Sequence, residues 1–466
     1  MTKIKFGTDG WRAIIGKEYT TENVARVSVA VGDWLQDKYK NPSVVIGHDC
    51  RFAGELFTET AAKVLASKGV IVKIAEGFVS TPMVSLGVVN KKANLGVVIT
   101  ASHNPPSYNG YKLKGDFGGP LLPNDIATIE NRIPDKNSVD LDAISMKSLV
   151  LEGKVIYVDL EDMYCKHAAT HFDLKEIRNS EMKFAYDAMY GAGMNVVKRL
   201  LPETTLLHCD DNPGFLGTAP EPIHRNLQEF SDLMRNNDLS CGLATDGDAD
   251  RIGLYDDKGN FIDSHHIILL LIHYMVKYKG MTGKVVTAFS CSVKVEQICK
   301  HYGLEQEIVQ IGFKHIAGKM ITEDVLLGGE ESGGIATKGH IPERDGIWMG
   351  LILFEFMVKS GKSLTDLIQE VYNIVGTFAF ERIDLHIEND TKQAIIENCK
   401  AGKYNHFGEY KVERVETIDG FKFFFDANSW LMIRPSGTEP LLRTYAEAPN
   451  QEKAFDILAK AKATIL

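Results

Sequence analysis

The segment 93-ANLGVVITASHNPPSYNGYK-112 decides how the rest of the chain is read. Leu95–Ile99 is a short apolar run rich in β-branched residues, the pattern of a buried strand. It stops at Thr100-Ala101-Ser102-His103-Asn104-Pro105-Pro106, where two prolines and an asparagine exclude helix and impose a tight turn. A strand that hands a serine to a rigid loop is one way α/β proteins present a nucleophile beyond the carboxyl ends of their strands. Thr100 and Ser102 are equally the residue types that satisfy loop backbone groups. The segment alone leaves both readings open, and its surroundings must decide.

Toward the amino terminus, 3–6 is a short strand entering the glycine-punctuated loop Gly7-Thr8-Asp9-Gly10-Trp11-Arg12. Residues 20–38 read as an amphipathic helix with Thr21 as its cap, and 43–46 as a second apolar strand ending in Gly47-His48-Asp49-Cys50-Arg51. Helix 55–68, strand 70–74 and helix 81–88 follow, so strands alternate with helices and the sheet is expected to be largely parallel.

Toward the carboxyl terminus, the polar stretch 133–145 reads as an interdomain linker, and a second α/β unit starts near Lys154. Its strand 183–187 runs into Tyr190-Gly191-Ala192-Gly193, which lacks the third glycine of a dinucleotide fingerprint and reads better as a tight strand-to-helix turn. Strand Cys241–Thr245 feeds an acidic loop, a hairpin covers 252–263, and a third α/β unit runs from helix 266–279 to helix 363–372. From Gly376 the pattern becomes strand-rich, with helices at 392–400 and 451–466, as in a smaller antiparallel α+β domain. The expected units are 1–145, 146–252, 253–374 and 375–466.

A chain of 466 residues is too long for one core. Its composition, 44% hydrophobic and 24% charged, is that of a soluble globular protein. The net charge of -10 argues against nucleic acid or anionic membrane as the main partner. Seven scattered cysteines without a CxxC pair indicate reduced thiols and no zinc site. The start has no apolar signal core, and the greasiest run, 267–276, is too short to span a bilayer, so a cytoplasmic location is expected.

Three further stretches carry chemistry. Thr245-Asp246-Gly247-Asp248-Ala249-Asp250-Arg251 sets three carboxylates at alternate positions, an arrangement that repels itself unless a cation is present. An EF-hand would need Gly and Glu where Arg251 and Asp257 stand, so Mg²⁺ in an open oxygen site, with Ser102 or its phosphate as a fourth ligand, fits better. In Gly328-Gly329-Glu330-Glu331-Ser332-Gly333-Gly334, the residues Glu330 and Ser332 offer acceptors suited to paired sugar hydroxyls. Arg434-Pro435-Ser436-Gly437-Thr438-Glu439-Pro440, with Arg443 beyond, follows a strand, opens a turn of helix and makes a phosphate cradle. Each has a plainer reading as a solvated acidic turn, an ordinary glycine loop or surface arginines. Together they point to phosphoryl transfer on a phosphosugar.

Six motifs stand in order along the chain: FGTDGWR, GHDCR, TASHNPPSYNGYK, TDGDADR, GGEESGG and RPSGTEP. In them the sequence resembles, over its whole length, the α-D-phosphohexomutase superfamily, the phosphoglucomutase and phosphomannomutase enzymes. The resemblance implies three related α/β domains with mixed sheets and a C-terminal α+β domain around a central cleft. It implies a resting phosphoserine at Ser102 and Mg²⁺ held by Ser102, Asp246, Asp248 and Asp250. Lys112, Arg12, His103 and Arg251 would serve the transfer, with Lys112 as the general acid/base. Glu330, Ser332, Lys314 and Arg344 would hold the sugar, and Arg434, Ser436, Gly437, Thr438 and Arg443 the other phosphate.

A hexose 1,6-bisphosphate would be the intermediate, with glucose 1,6-bisphosphate as activator, small hexose phosphates as partners and a monomer or homodimer as the assembly. Gly334, where dual-specificity enzymes carry a histidine, and His340-Ile341-Pro342-Glu343-Arg344-Asp345-Gly346, similar to dedicated phosphoglucomutases, favour glucose phosphate, then mannose phosphate. Phosphoglucosamine mutases carry Gln and His where this chain has Glu331 and Gly334. Tyr190 and Gln310 also depart from the family pattern. Two other classes remain open at this point, a non-catalytic phosphosugar-binding protein and a metal-dependent phosphatase using Ser102.

Overall fold

The computed structural model describes residues 3–435 and 441–466. Its first sheet has six strands in the order Trp11–Ile14, Tyr108–Gly115, Leu95–Ile99, Ser43–His48, Ile71–Ala75 and Val155–Val158. The last four run parallel, whereas Tyr108–Gly115 is antiparallel to both of its neighbours, so the sheet is mixed rather than largely parallel. Leu95–Ile99 is central and buried along its whole length, as its uninterrupted apolar sequence requires. The helix Thr21–Lys38 is capped by Thr20, not Thr21: the Thr20 side chain accepts the Asn23 N–H at 3.2 Å.

The second sheet runs Phe261–Ile262, Ile252–Asp256, Cys241–Thr245, Phe184–Asp187, Thr205–Leu207, and the third runs Gln306–Val309, Lys284–Ala288, Val325–Gly329, Ile335–Thr337. Two sheets reach past the edges expected from sequence. Val155–Val158 closes the first sheet beyond residue 145, and the hairpin 252–262 extends the second beyond 252. The stretch 133–145 is strapped to the first unit, with the Asn137 N–H donating to Glu22 and with Val139 and Leu141 packed on Ala25, Val29 and Val64.

The fourth sheet is antiparallel throughout, in the order Ala379–His386, Leu441–Ala448, Trp430–Pro435, Phe421–Phe424, Arg414–Glu416, and it is backed by the helix Gln451–Ile465. The architecture is three α/β units with mixed sheets and a C-terminal antiparallel unit, as the sequence leads one to expect. One buried apolar core runs through the first three, from Val45 and Val98 through Leu160 and Tyr164 to Trp348 and Phe354. The fourth has its own core. Among the described residues no helix is long and apolar enough to cross a membrane.

Candidate active site

The strand Leu95–Ile99 ends at Thr100, and two residues later Ser102 takes a left-handed conformation (φ 53°), a strained geometry for a non-glycine residue. The loop holds it there by several hydrogen bonds. The Ser102 N–H donates to Thr100 Oγ1 at 2.8 Å, and Thr100 Oγ1 donates to Asp49 Oδ2 at 2.5 Å. Arg51, fully buried beside Asp49 at 3.3 Å, donates to the carbonyls of Ser102, Asn104, Pro105 and Tyr108. Arg12 donates to Asn104 Oδ1 at 2.7 Å. The GHDCR loop is therefore the scaffold of the serine turn.

Ser102 Oγ donates to Asp246 Oδ2 at 2.8 Å, and it lies 3.3 Å from His103 Nδ1. The serine loop and the acidic loop, far apart in sequence, thus meet at the Ser102 hydroxyl. Asp246, Asp248 and Asp250 are all buried, with ligand oxygens within 4.8 Å of one another. The Asp246 carboxylate also accepts the N–H groups of Asp250 and Arg251, which closes the acidic turn on itself. Burial, then Asp250 and Asp248, push Asp246 well above the usual carboxylate range.

Lys112 is buried with its Nζ 2.6 Å from Asp248 Oδ2, 2.9 Å from Asp9 Oδ2 and 3.0 Å from Asp250 Oδ2. Burial alone would lower the Lys112 ammonium, but Asp248, Asp250 and Asp9 outweigh it and raise it above the usual lysine value. Asp248 is held below its usual value because Lys112 and the Thr81 hydroxyl more than offset the burial that would raise it. His103 goes the other way: burial, then Arg251, Arg12, Lys112 and Arg344, push its ring well below the usual imidazole range. The site therefore holds a charged lysine among its carboxylates and a neutral histidine beside the serine.

Two buried oxygens, Asp248 Oδ1 and Asp250 Oδ1, have no hydrogen-bond partner among the described residues. Three buried carboxylates with two orphaned oxygens suit a hard divalent cation that takes oxygen ligands. The residues fit such an ion.

The glycine loop packs directly on the acidic loop: the Ile252 N–H donates to the Gly333 carbonyl at 3.2 Å, and Arg251 bridges Gly334. Glu330 is buried, accepts the Gly312 N–H at 3.0 Å, and is raised to about 7, by burial first and then by Glu331, against the lowering effect of Arg344. Arg344 is the hub. It pairs with Asp9, lies 2.7 Å from Asp250 and approaches Glu330 at 3.8 Å. A Cβ at Gly334 would meet Arg344 Cδ at 2.3 Å, so glycine there is what lets the arginine lie across the loop. Ser332 is half-buried in the same loop, and Lys314 is half-buried in the first turn of the helix Phe313–Met320.

On the fourth sheet, Arg434 and Arg443 are directly opposite each other on neighbouring strands, so their side chains share one face. Arg434 is paired with Asp419 at 3.1 Å, and Arg443 Nε is buried without a hydrogen-bond partner among the described residues. Ser436, Gly437 and Thr438, with the helical turn expected there, lie outside the described residues.

The structure adds residues that the sequence did not single out: Asp9, Asp49, Arg51, Thr81 and Glu343, the last buried and paired with Lys114 at 2.7 Å. Asp49 and Arg51 stand in a glycine-led loop after a strand, a signal that marked the loop but not their roles. Thr81 has no local signal. The Tyr190-Gly191-Ala192-Gly193 turn packs on the acidic loop, where the Ala192 N–H donates to the Gly247 carbonyl at 3.0 Å.

Four sequence profiles of one family match the chain in order. They are described as phosphoglucomutase/phosphomannomutase alpha/beta/alpha domain I over residues 3–140, domain II over 162–259, domain III over 263–375, and C-terminal domain over 390–463. A phosphoglucomutase/phosphomannomutase of Thermococcus kodakarensis is 30% identical over 97% of this chain and 96% of its own. A phosphoglucosamine mutase of Methanocaldococcus jannaschii is 30% identical over 98% of this chain and 96% of its own. The crystal structure of a putative phosphomannomutase from Thermus thermophilus matches with TM-score 0.88 and 30% identity, covering 100% of this chain and 99% of that one.

Proposed function

Because the chain belongs to the phosphoglucomutase/phosphomannomutase family of phosphohexomutases, enzymes that move phosphate within a sugar phosphate, we propose that it interconverts hexose 1-phosphate and hexose 6-phosphate with glucose phosphate preferred. The observation that carries this reading is the Ser102 Oγ to Asp246 hydrogen bond inside a cluster of three buried carboxylates. A serine so placed suits a phosphoenzyme. In the first half-reaction the Ser102 Oγ–P bond breaks as the free sugar hydroxyl forms its own bond to phosphorus. The hydroxyl proton leaves for a base such as His103, and the Lys112 ammonium meets the charge on Ser102 Oγ. The bisphosphate then reorients and returns its other phosphate to Ser102.

Asp246, Asp248, Asp250 and the Ser102 oxygen would hold Mg²⁺, which when bound neutralises phosphate charge. Arg251 and Arg12 add positive charge around the same phosphate. Glu330 and Ser332 hold the sugar hydroxyls, with Lys314 and Arg344 beside them. Arg434 and Arg443, with Ser436, Gly437 and Thr438, hold the phosphate that is not transferred. Glucose 1,6-bisphosphate serves as activator.

The preference for glucose rests on Gly334 and on Arg344 lying over it, where a histidine would not fit without moving the arginine. Relatives named for glucosamine and mannose phosphates make those sugars the comparison to run. The test is turnover of glucose 1-phosphate, mannose 1-phosphate and glucosamine 1-phosphate with Mg²⁺ and a trace of glucose 1,6-bisphosphate. A preference of about tenfold or more for glucose 1-phosphate is expected. Equal or faster turnover of glucosamine 1-phosphate overturns the sugar assignment, and net phosphate release without isomerisation overturns the mutase.

A further inference from the structure

Asp419 carries an arrangement that the site as described leaves unused. It sits in the turn Asp419-Gly420 ahead of the strand Phe421–Phe424, which pairs with Trp430–Pro435. Gly420 has φ 102°, and a Cβ there would meet the Ile433 carbonyl at 2.8 Å and Arg434 Cβ at 3.2 Å. The turn therefore lies flat against the residue that bears the phosphate-facing guanidinium, and only glycine permits that approach.

The Asp419 carboxylate then makes three hydrogen bonds. It accepts from Arg434 Nε at 3.1 Å and from Arg434 Nη2 at 3.3 Å, a two-pronged contact that fixes the plane of the guanidinium. The same Oδ2 accepts the N–H of Ile311 at 3.0 Å, and Ile311 belongs to the third unit. The next N–H along, that of Gly312, donates to Glu330 at 3.0 Å. Two consecutive peptide N–H groups are thus satisfied by two carboxylates, one tied to the phosphate arginine and one in the sugar loop. Lys314 follows two residues later.

We infer that Asp419 is a positioning residue that references the phosphate-holding Arg434 to the peptide carrying the sugar clamp. It thereby sets the distance between the phosphate anchor and the hydroxyl anchor of a bound hexose phosphate. The inference rests on the proposed roles of Arg434 and Glu330. Its effect belongs to binding rather than to the transfer step, because Asp419 lies on the fourth unit, away from the serine and the carboxylates.

The test is a double-mutant cycle on hexose 1-phosphate turnover with Asp419→Ala, Arg434→Ala and the pair, and with Asp419→Asn as the conservative variant. Asp419→Ala is expected to raise KM about tenfold with kcat within about threefold. Asp419→Asn, which keeps an acceptor for the Ile311 N–H and loses the charge on Arg434, is expected to raise KM about threefold. The pair is expected within about twofold of Arg434→Ala alone, because Asp419 acts through that arginine. Multiplying effects in the pair, which a merely structural turn residue would give, overturn the inference. A raised KM in Arg434→Ala beside unchanged KM in both Asp419 variants overturns the inference alone. An unchanged KM in Arg434→Ala overturns the phosphate role of that arginine and the inference with it. Thermal unfolding of each variant separates a lost fold from a lost contact: if Asp419→Ala is unfolded, the folded Asp419→Asn variant decides.

Discussion

The corner where Ser102 meets the three aspartates and the sheet that carries Arg434 and Arg443 are both proposed to handle phosphate, yet they are built differently. The first lies among units that share one continuous core, and its charged side chains meet across unit boundaries: Asp9, Lys112, Asp248, Asp250 and Arg344 form one network. The fourth unit has a core of its own and meets the third through a cluster of Phe289, Phe424, Trp430, Met432 and Tyr445, through Phe378 and Phe380 packed on His266 and His265, and through polar contacts such as those of Lys294 and Lys422. Where charge develops in the reaction the groups are fixed in advance, which is what electrostatic catalysis requires. Where a phosphate only docks, the groups sit on a unit with fewer ties, which suits a clamp that must accept either end of a bisphosphate.

The sharpest way to break that comparison is at the serine. Ser102→Ala is expected to lower mutase turnover on the order of 10⁴-fold or more. The melting temperature should change little, because among the described residues the side chain hydrogen-bonds only to Asp246 and His103. Turnover within about tenfold of wild type would show that the corner is not the reaction centre. Asp248→Asn comes next. It removes a charge that both faces Lys112 and offers an orphaned oxygen, so turnover should fall roughly 10²-fold or more and the Mg²⁺ needed for half-activity should rise. A variant with unchanged Mg²⁺ dependence would place the ion elsewhere.

Arg51→Ala tests whether the corner is rigid by design. Four carbonyls of the serine turn lose their donor, and Asp49 is left as a buried charge without its partner. Such a loss costs about 3–5 kcal/mol of stability, with turnover down roughly 10- to 100-fold in the protein that remains folded. Unfolding curves and turnover measured on the same preparation give both numbers. The equivalent deletion on the other side, Arg443→Ala, should cost less than about 1 kcal/mol of stability, because Arg443 is only partly buried and its Nε makes no hydrogen bond among the described residues.

What the sequence made legible, and what it did not, follows the same division. The serine turn and the acidic loop are written locally, in prolines, glycines and alternating carboxylates at the end of apolar strands, and the structure brings them together. The pairing of Lys112 with Asp9, Asp248 and Asp250 depends on a strand and a loop of the first unit meeting a loop of the second, and no local pattern encodes it. Nor does any pattern show that Val155–Val158 joins the first sheet, because a parallel edge strand finds its partner through tertiary packing. The cap shifted from Thr21 to Thr20 because two adjacent threonines offer the same chemistry, and only the helix register chooses between them. Gly334 was legible as a departure in the sugar loop, and its cause, the side chain of Arg344, comes from ten residues further on.

Between the two regions lies Glu330, whose carboxyl is raised to about 7. The sign of the effect is fixed by that direction. Below about pH 7 the group holds its proton and loses acceptor capacity for a sugar hydroxyl; above it the carboxylate is present. KM for the hexose phosphate is therefore expected to rise as pH falls through about 7, by about tenfold at pH 6. In Glu330→Gln that limb should flatten, leaving only the titration of the phosphosugar itself, near about pH 6. An unaltered KM profile in the variant would assign the ionisation to another group.

The smallest effect belongs to the joint itself. Lys422 is buried in the fourth unit, donates to the carbonyls of Phe289 at 3.2 Å and Cys291 at 3.0 Å in the third, and stands 3.8 Å over the Trp430 ring. Burial pulls its ammonium down to about 8, against the opposing pull of Glu447. A lysine lowered on folding holds fewer protons folded than unfolded between about pH 8 and its ordinary value of 10.5, so its contribution to stability improves as pH rises through that window. Below about pH 8 both states are charged and the full cost of burying the ammonium is present. Lys422→Met replaces the cation with an apolar chain of similar length, which is often neutral or stabilising at a buried site. Its melting temperature is expected a few degrees above wild type at about pH 7, with the gap closing by about pH 9.5. A gap that widens with pH would mean that the ammonium is held in its charged form, and that the joint is pinned as firmly as the serine corner.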